Sequence, residues 1–348
     1  MTFPLNLLPT AIGSLPYSDP AAACRVVANT FPRIPIWPQL PRRSFLENMY
    51  VQYSEGFPGV VLDHEAERIY VDRSQDLDAP LERLYTAYLE GNLDFAAIGS
   101  DYAAGLTALP AVLKDAAAPL AVKGQVTGPI SWGLTVVDQN RRPILYDDIL
   151  ADAIAKHLRL KAAWQEQQLR QLCPQVITFV DEPYMSAFGS AFVAVGREQV
   201  VTLLEEVFAG IQGLKGVHCC GNTDWSILLE TSVDILNLDA YHYAESLALY
   251  PDAVRAFLRR GGVIAWGISP NRDDLIAQET VASLTQRLEA GLGLLVGKGI
   301  PKDDLLAAMM ITPACGLGGM SVAAAERVLT LTAGVAAEIQ KRYGRVED

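Results

Sequence analysis

Gly216-Val217-His218-Cys219-Cys220, Val233-Asp234-Ile235-Leu236-Asn237-Leu238-Asp239 and Gly262-Val263-Ile264-Ala265-Trp266-Gly267 are three short apolar runs. Helical patterns separate them, Thr223 to Glu230 and Pro251 to Arg260. Runs of this length, mostly apolar and closed by polar or glycine residues, read as strands buried on both faces. Strands that alternate with helices at this spacing pair in parallel through βα units. Residues two apart in a strand point the same way, so His218 and Cys220 share a face and Cys219 points into the opposite packing.

The rhythm extends in both directions. Upstream, the spacing predicts strands at 118–126 and 176–180 and helices at 81–89, 146–172 and 197–212. Downstream it predicts a helix from Leu275 to Val296, a strand from Leu306 to Ile311 and a closing helix from Ser321 to Tyr343. Leu7 to Ser14 reads as the first strand. Ser18 or Asp19 caps the helix that Pro20 opens. About eight such units point to a single (β/α)8 TIM barrel of α/β class over residues 1–348. A doubly wound open sheet is the alternative, but Gly13-Ser14-Leu15-Pro16 lacks the later glycines of a dinucleotide fingerprint.

Residues 31–80 exceed the length of an ordinary βα unit and read as an insertion or cap near the barrel mouth. Pro32, Pro35, Pro38 and Pro41 exclude a regular helix or a central strand there. Trp37, Arg42 and Arg43 would belong either to a rigid surface loop or to a cover over a site. A hairpin is expected from Gly59 to Leu62 and Arg68 to Val71. There is no domain linker, repeat or low-complexity tract.

The chain has 348 residues, half of them hydrophobic, and a net charge of −12. The acidity argues against nucleic acid as a partner. No apolar stretch reaches the roughly 20 residues of a membrane span, and the N-terminal residues lack the basic region of a signal peptide. Five cysteines, an odd and sparse set, do not resemble a disulfide framework. A reducing, cytoplasmic setting is expected. Cys24 and Cys173 lie in helical patterns and read as core residues. His64 and His157 are given no role. His242 reads as a loop histidine or a proton shuttle.

Polar residues gather where apolar runs end: Ser14, Gln125 with Thr127, Asp181 with Glu182, His218 with Cys220, Asp239, and Cys315. Barrel enzymes build their sites from those ends. Thiolate, imidazole and carboxylate are zinc ligands in tetrahedral array. His218, Cys220 and Cys315 would supply three, with Asp239 a candidate fourth, and the same three are the candidate catalytic residues. A site so rich in thiolate suits binding and deprotonating another thiol better than activating water. Spacing alone leaves open a buried histidine beside unrelated thiols. Asp181-Glu182 would either cap a helix or bind a substrate ammonium, and Ser14 with nearby backbone N–H groups would hold a carboxylate.

Five segments in this order resemble the catalytic, C-terminal barrel of cobalamin-independent methionine synthase, within the uroporphyrinogen decarboxylase-like superfamily. They are Thr10-Ala11-Ile12-Gly13-Ser14, Asp181-Glu182-Pro183, His218-Cys219-Cys220, Asp234-Ile235-Leu236-Asn237-Leu238-Asp239 and Pro313-Ala314-Cys315-Gly316-Leu317. The resemblance implies zinc on His218, Cys220 and Cys315, with Asp181 on the homocysteine amino group and Ser14 on its carboxylate. The product would be methionine.

Three departures bear on the reaction. The family's fourth ligand, a glutamate, falls on Asp239. A histidine that serves proton transfer when the donor is methyltetrahydrofolate is replaced by Ile268 in Gly267-Ile268-Ser269-Pro270. The N-terminal barrel of the folate-dependent enzyme has no counterpart in these residues. A methylfolate nitrogen needs a proton to leave and a corrinoid does not, so a methylcorrinoid such as methylcobalamin, free or on a corrinoid protein, is the expected donor. Cys220-Gly221-Asn222 also resembles corrinoid:thiol methyltransferases that use coenzyme M. A uroporphyrinogen decarboxylase-like enzyme is a further alternative, with Arg42 and Arg43 as anion ligands.

Overall fold

The computed structural model describes residues 5–190 and 193–344. In chain order its strands are β1 (Leu8–Pro9), β2 (Val60–Asp63), β3 (Arg68–Val71), β4 (Val122–Thr127), β5 (Val137–Asp138), β6 (Val176–Asp181), β7 (Leu214–Cys219), β8 (Ile235–Asp239), β9 (Val263–Ser269) and β10 (Met309–Pro313). The first seven helices are α1 (Pro20–Thr30), α2 (Asp78–Glu90), α3 (Ala104–Leu113), α4 (Pro129–Thr135), α5 (Asp148–Arg170), α6 (Arg197–Phe208) and α7 (Trp225–Glu230). The remainder are α8 (Ala240–Leu247), α9 (Pro251–Arg259), α10 (Asp273–Ile276), α11 (Val281–Gly297), α12 (Lys302–Ala307) and α13 (Val322–Tyr343).

Seven strands form one parallel sheet in the order β1-β10-β9-β8-β7-β6-β4. β4, β6, β8 and β10 are buried along their whole length, as expected of a parallel sheet covered on both faces. The sheet curls on itself. Its concave face encloses a core of its own, including Ile177 and Phe179 from β6, Ile235 from β8, Ala265 from β9 and Met310 from β10. The alternate residues, such as Val217, Leu236 and Trp266, pack outward against the helices.

The proline-rich segment lies between the two edges of this sheet. Ile36 bridges Lys123 of β4 and Gln39 bridges Ser14 beyond β1, both in parallel sense. Lys123 N donates to Pro35 O at 2.9 Å and Gln39 N to Gly13 O at 3.1 Å. Prolines lack the N–H a continuous ladder needs, so the contact is a pair of isolated bridges and the regular strands of the sheet number seven.

A second sheet, β2-β3-β5, stands beside the first. β2 and β3 form the expected hairpin, with Val60 opposite Val71 and Asp63 opposite Arg68. Asp19 caps α1 through Ala21 N, and α2, α5, α6, α9 and α13 lie where periodicity places them. Other segments differ from expectation. The helix predicted from Leu275 to Val296 is broken into α10 and α11, because Thr280 and Ser283 start a new helix with a reciprocal capping box. The predicted strand from Leu306 begins at Met309, the residues before it completing α12. Helices α3, α4 and α8 were not expected. α3 is apolar nearly all round and contains Pro110, so it shows no 3.6-residue stripe. Among the described residues no helix is long and apolar enough to cross a membrane.

Candidate metal centre

The register of the sheet sets the site. Asp181 of β6 pairs with His218 of β7, and His218 with Asn237 of β8. These three side chains therefore occupy one row on the concave face. Cys220 follows at the end of β7, and Cys315 arrives in the loop after β10. One ligand atom each from His218, Cys220 and Cys315 lies within 4.8 Å of the others, the group among the described residues arranged to hold a metal ion.

The imidazole is oriented by Asn237. The Asn237 amide donates to Ala265 O and Thr312 Oγ1, both at 2.8 Å. Its oxygen therefore faces His218, whose Nδ1–H donates to it at 2.5 Å. The other ring nitrogen, Nε2, is buried without a hydrogen-bond partner. A buried polar atom left bare is costly and calls for an explanation. Here it is the lone pair a metal would take, held in the tautomer that ligating histidines adopt. The donor set of two sulfurs and one nitrogen fits zinc.

The thiols differ. A hydrogen bond from Cys315 and the adjoining His218 ring hold Cys220 down at about 4, against the effect of burial. The Cys315 thiol is pushed well above its ordinary value by that same bond and by burial. The shared bond therefore favours the thiolate on Cys220 over Cys315.

Asp239 makes hydrogen bonds of its own. Its Oδ1 accepts from His242 N at 3.0 Å, capping α8, and its Oδ2 pairs with His242 Nδ1 at 2.7 Å. It is not part of the three-residue group. A carboxylate at the end of a strand and the start of a helix is held by the helix N-terminus.

Glu182 is likewise occupied. Its Oε1 accepts from Ile130 N at 2.9 Å, and its Oε2 from Ser131 N at 2.8 Å and Ser131 Oγ at 2.6 Å. It is fully buried and serves as the cap of α4 from a distant point in the chain. Gly128 leaves room for it, since a Cβ there would meet the Glu182 carboxyl at 2.2 Å.

Asp181 and Ser14 line a cavity of about 260 Å³ together with His218, Cys220 and Cys315. Asp181 Oδ1 is buried with no hydrogen-bond partner, and burial pushes its carboxyl up to about 6. Ser14 Oγ accepts from Gly318 N at 3.2 Å, and Gly316 has no Cβ that would block this oxygen. Gln39, Pro41, Glu47, Asn48 and Met49, from the segment 31–80, complete the cavity wall. Trp37 is fully buried and donates to Gln165, away from the cavity. Arg42 donates to the Gly318 and Gly319 carbonyls, and Arg43 pairs with Glu47 at 3.0 Å. Arg42 thus ties this segment to the loop after β10, and Arg43 is engaged by Glu47 and the Asp101 carbonyl.

Three residues near the site were not singled out from sequence. Asn237 lies at an alternate position to Asp239, so period two was the available signal. Lys123 is fully buried on the concave face, 4.2 Å from the Phe179 ring centroid, and donates to Ile12 O. Burial pulls it down to about 8, and a lysine inside an apolar strand marked it. Glu47 was marked by the Ser44-x-x-Glu47 spacing of a capping box. The expected histidine position, Ile268, packs in the outer core.

No protein-family model matches the chain, and no curated protein matches it. Solved structures do. A B12-independent methionine synthase from Shewanella sp. W3-18-1, in complex with selenomethionine, aligns over 97% of this chain and 98% of its own, with TM-score 0.54 and 15% identity. A methyltransferase from Methanosarcina mazei aligns over 97% and 94%, with TM-score 0.58 and 11% identity. A putative vitamin-B12 independent methionine synthase from Listeria monocytogenes aligns over 94% and 87%, with TM-score 0.56 and 13% identity. At such identities the likeness is one of fold: this chain has the α/β fold, built on a curled parallel sheet, of methionine synthase-type and methyltransferase proteins.

Proposed function

We propose that this chain is a zinc-dependent thiol S-methyltransferase that converts homocysteine to methionine, with a methylated corrinoid as donor. The observation that carries the reading is the bare, buried Nε2 of His218 beside two thiols, its tautomer held by Asn237. The fold likeness to methionine synthase-type and methyltransferase structures supports it. On this reading the bridged segment 34–39 is the eighth stave of a (β/α)8 barrel, which puts the site at its C-terminal mouth.

His218, Cys220 and Cys315 would hold the metal. Bound zinc would keep an incoming thiol deprotonated near neutral pH yet nucleophilic. Asp181 is the partner for the substrate ammonium, since its free buried oxygen lines the cavity. Ser14 and the Gly316–Gly319 loop face the substrate carboxylate. A volume of about 260 Å³ admits an amino-acid thiol and falls below the roughly 300–1,000 Å³ of drug-sized ligand sites. In the transfer an S–C bond forms as the donor–C bond breaks. The bonding pair stays with the donor, and the thiol proton leaves to solvent. Ile268, an apolar side chain in the outer core, offers no proton to a leaving nitrogen, which favours a corrinoid over a folate. Arg42 and Arg43 are spent on protein partners, which disfavours an anionic tetrapyrrole held by them.

The test is methionine formation by zinc-loaded protein from homocysteine, with methylcobalamin in one reaction and methyltetrahydrofolate in another. Product from methylcobalamin alone is expected. Product from the folate alone contradicts the donor assignment. No product from either contradicts the acceptor or donor assignment.

A further inference from the structure

An ammonium group carries three N–H donors, and a buried charge is stable only where its donors are met. Asp181 is one acceptor in the thiol cavity. Other side-chain oxygens that line it are already engaged. Glu47 Oε2 accepts from Leu40 N and Oε1 from Arg43 Nη1, both at 3.0 Å. Asn48 Oδ1 accepts from Tyr50 N at 3.0 Å, and Ser14 Oγ from Gly318 N at 3.2 Å. Gln39 differs. It lines the cavity, and among the described residues nothing donates to its Oε1.

Two backbone carbonyls dictate which way this amide lies. Gln52 Nε2 donates to Tyr102 O at 2.5 Å, so Gln52 turns its oxygen to Gln39. Gln39 Nε2 donates to that oxygen at 2.6 Å. The Tyr53 hydroxyl donates to Gln125 O at 2.7 Å, so it accepts from the same Gln39 Nε2, at 3.3 Å. A carbonyl only accepts, so neither end of the relay reverses. A flipped Gln39 would set its oxygen against two oxygens in a buried place. Both amide hydrogens are therefore consumed, and Oε1 is the atom left over.

That oxygen lies over Gly13, where a Cβ would collide with it. Ser14 and Gln39 form a parallel bridge. Gln39 N donates to Gly13 O at 3.1 Å, and Leu15 N to Gln39 O at 2.9 Å. Bridged residues of neighbouring strands point to the same face. An amino acid carries its ammonium and carboxylate on one carbon, so the groups that hold them must be neighbours. With Ser14 facing the carboxylate, Gln39 Oε1 is the free acceptor beside it.

We propose that the Gln39 carboxamide oxygen is the second acceptor for the substrate ammonium, beside Asp181, and that Gln52 and Tyr53 are positioning residues that aim it. The inference rests on the homocysteine reading above. Being neutral, Gln39 adds an acceptor without a further negative charge near two thiols.

The experiment is calorimetric binding of homocysteine and of 4-sulfanylbutanoate, the same molecule without its amino group, to the zinc-loaded full chain. Wild type is compared with Gln39→Met, which keeps the length of the side chain without its acceptor, and with Gly13→Ala, which displaces the oxygen. Both thiols carry the sulfur and the carboxylate, so the ratio of their affinities reads the ammonium alone. The expected result is a preference for homocysteine in wild type that shrinks about tenfold in both variants. Purely structural damage would weaken both thiols alike and leave the ratio as it was. An unchanged ratio in folded Gln39→Met overturns the proposal, and folded Gly13→Ala decides in the same way should the first variant not fold. Wild type that binds the two thiols equally also overturns it. Wild type that binds neither thiol would instead sink the methyltransferase reading.

Discussion

His218 and Asn237 form a fixed pair: the imidazole Nδ1 lies 2.5 Å from the Asn237 amide oxygen, and both amide hydrogens are taken by Ala265 and Thr312. The asparagine cannot turn without losing two buried bonds, so it dictates which histidine nitrogen is free.

This pair predicts the effect of Asn237→Ala. Residues that orient ligating histidines typically contribute about 10- to 100-fold in metal affinity. Zinc affinity, measured by competition with a chelating dye, should fall by that factor while the folded far-UV spectrum persists. Unchanged affinity would mean that the ring is oriented by other contacts.

Asp181→Asn keeps the shape of the carboxylate and removes its charge. Loss of one charge-assisted bond of about 1.5–3 kcal/mol raises KM for homocysteine roughly 10- to 100-fold. Transfer to a simple thiol without an amino group should be unaffected, and zinc content should be retained. Equal losses for both thiols would remove Asp181 from ammonium recognition.

Glu182→Ala tests a different role for a neighbouring carboxylate. It leaves Ile130 N and Ser131 N of α4 without their acceptor in a buried place. The expected destabilisation is about 2–4 kcal/mol, read as a lower urea midpoint. Ligand affinity in the folded fraction should change little. A large loss of homocysteine binding at full stability would instead place Glu182 in recognition.

Stability should fall with acid through His157. Burial, reinforced by Lys161, holds its pKa down to about 3, against about 6.5 in an unfolded chain. Between those values the unfolded state binds more protons, so stability rises with pH across this window and is lost as pH drops through it. At pH 5 the ring's share is about 2 kcal/mol. The difference in unfolding free energy between pH 7 and pH 5 should therefore be smaller in His157→Gln than in wild type, and an equal difference would contradict the assignment.

How much of this was readable in advance depends on local signals. Strands β6 to β9 announce themselves because both faces are apolar and each ends at a polar or glycine residue. The inward direction of His218 and Cys220 follows from alternation alone. The prolines of 32–41 correctly excluded a regular strand, but not the two bridges that fit between proline positions. α4 was hidden because its cap, Glu182, comes from another unit. Asp239 could be read from sequence as a ligand or as a cap, because both roles take the same residue type at a strand end; in the structure it caps α8 and pairs with His242.

The central claim is tested most directly by the zinc content of purified chain, determined by elemental analysis for wild type and for Cys220→Ser, Cys315→Ser and Asp239→Asn. The account predicts a single bound zinc per chain in wild type, retained in Asp239→Asn and lost in both cysteine variants. Full zinc in folded Cys315→Ser, or none in wild type supplied with the metal, would contradict it.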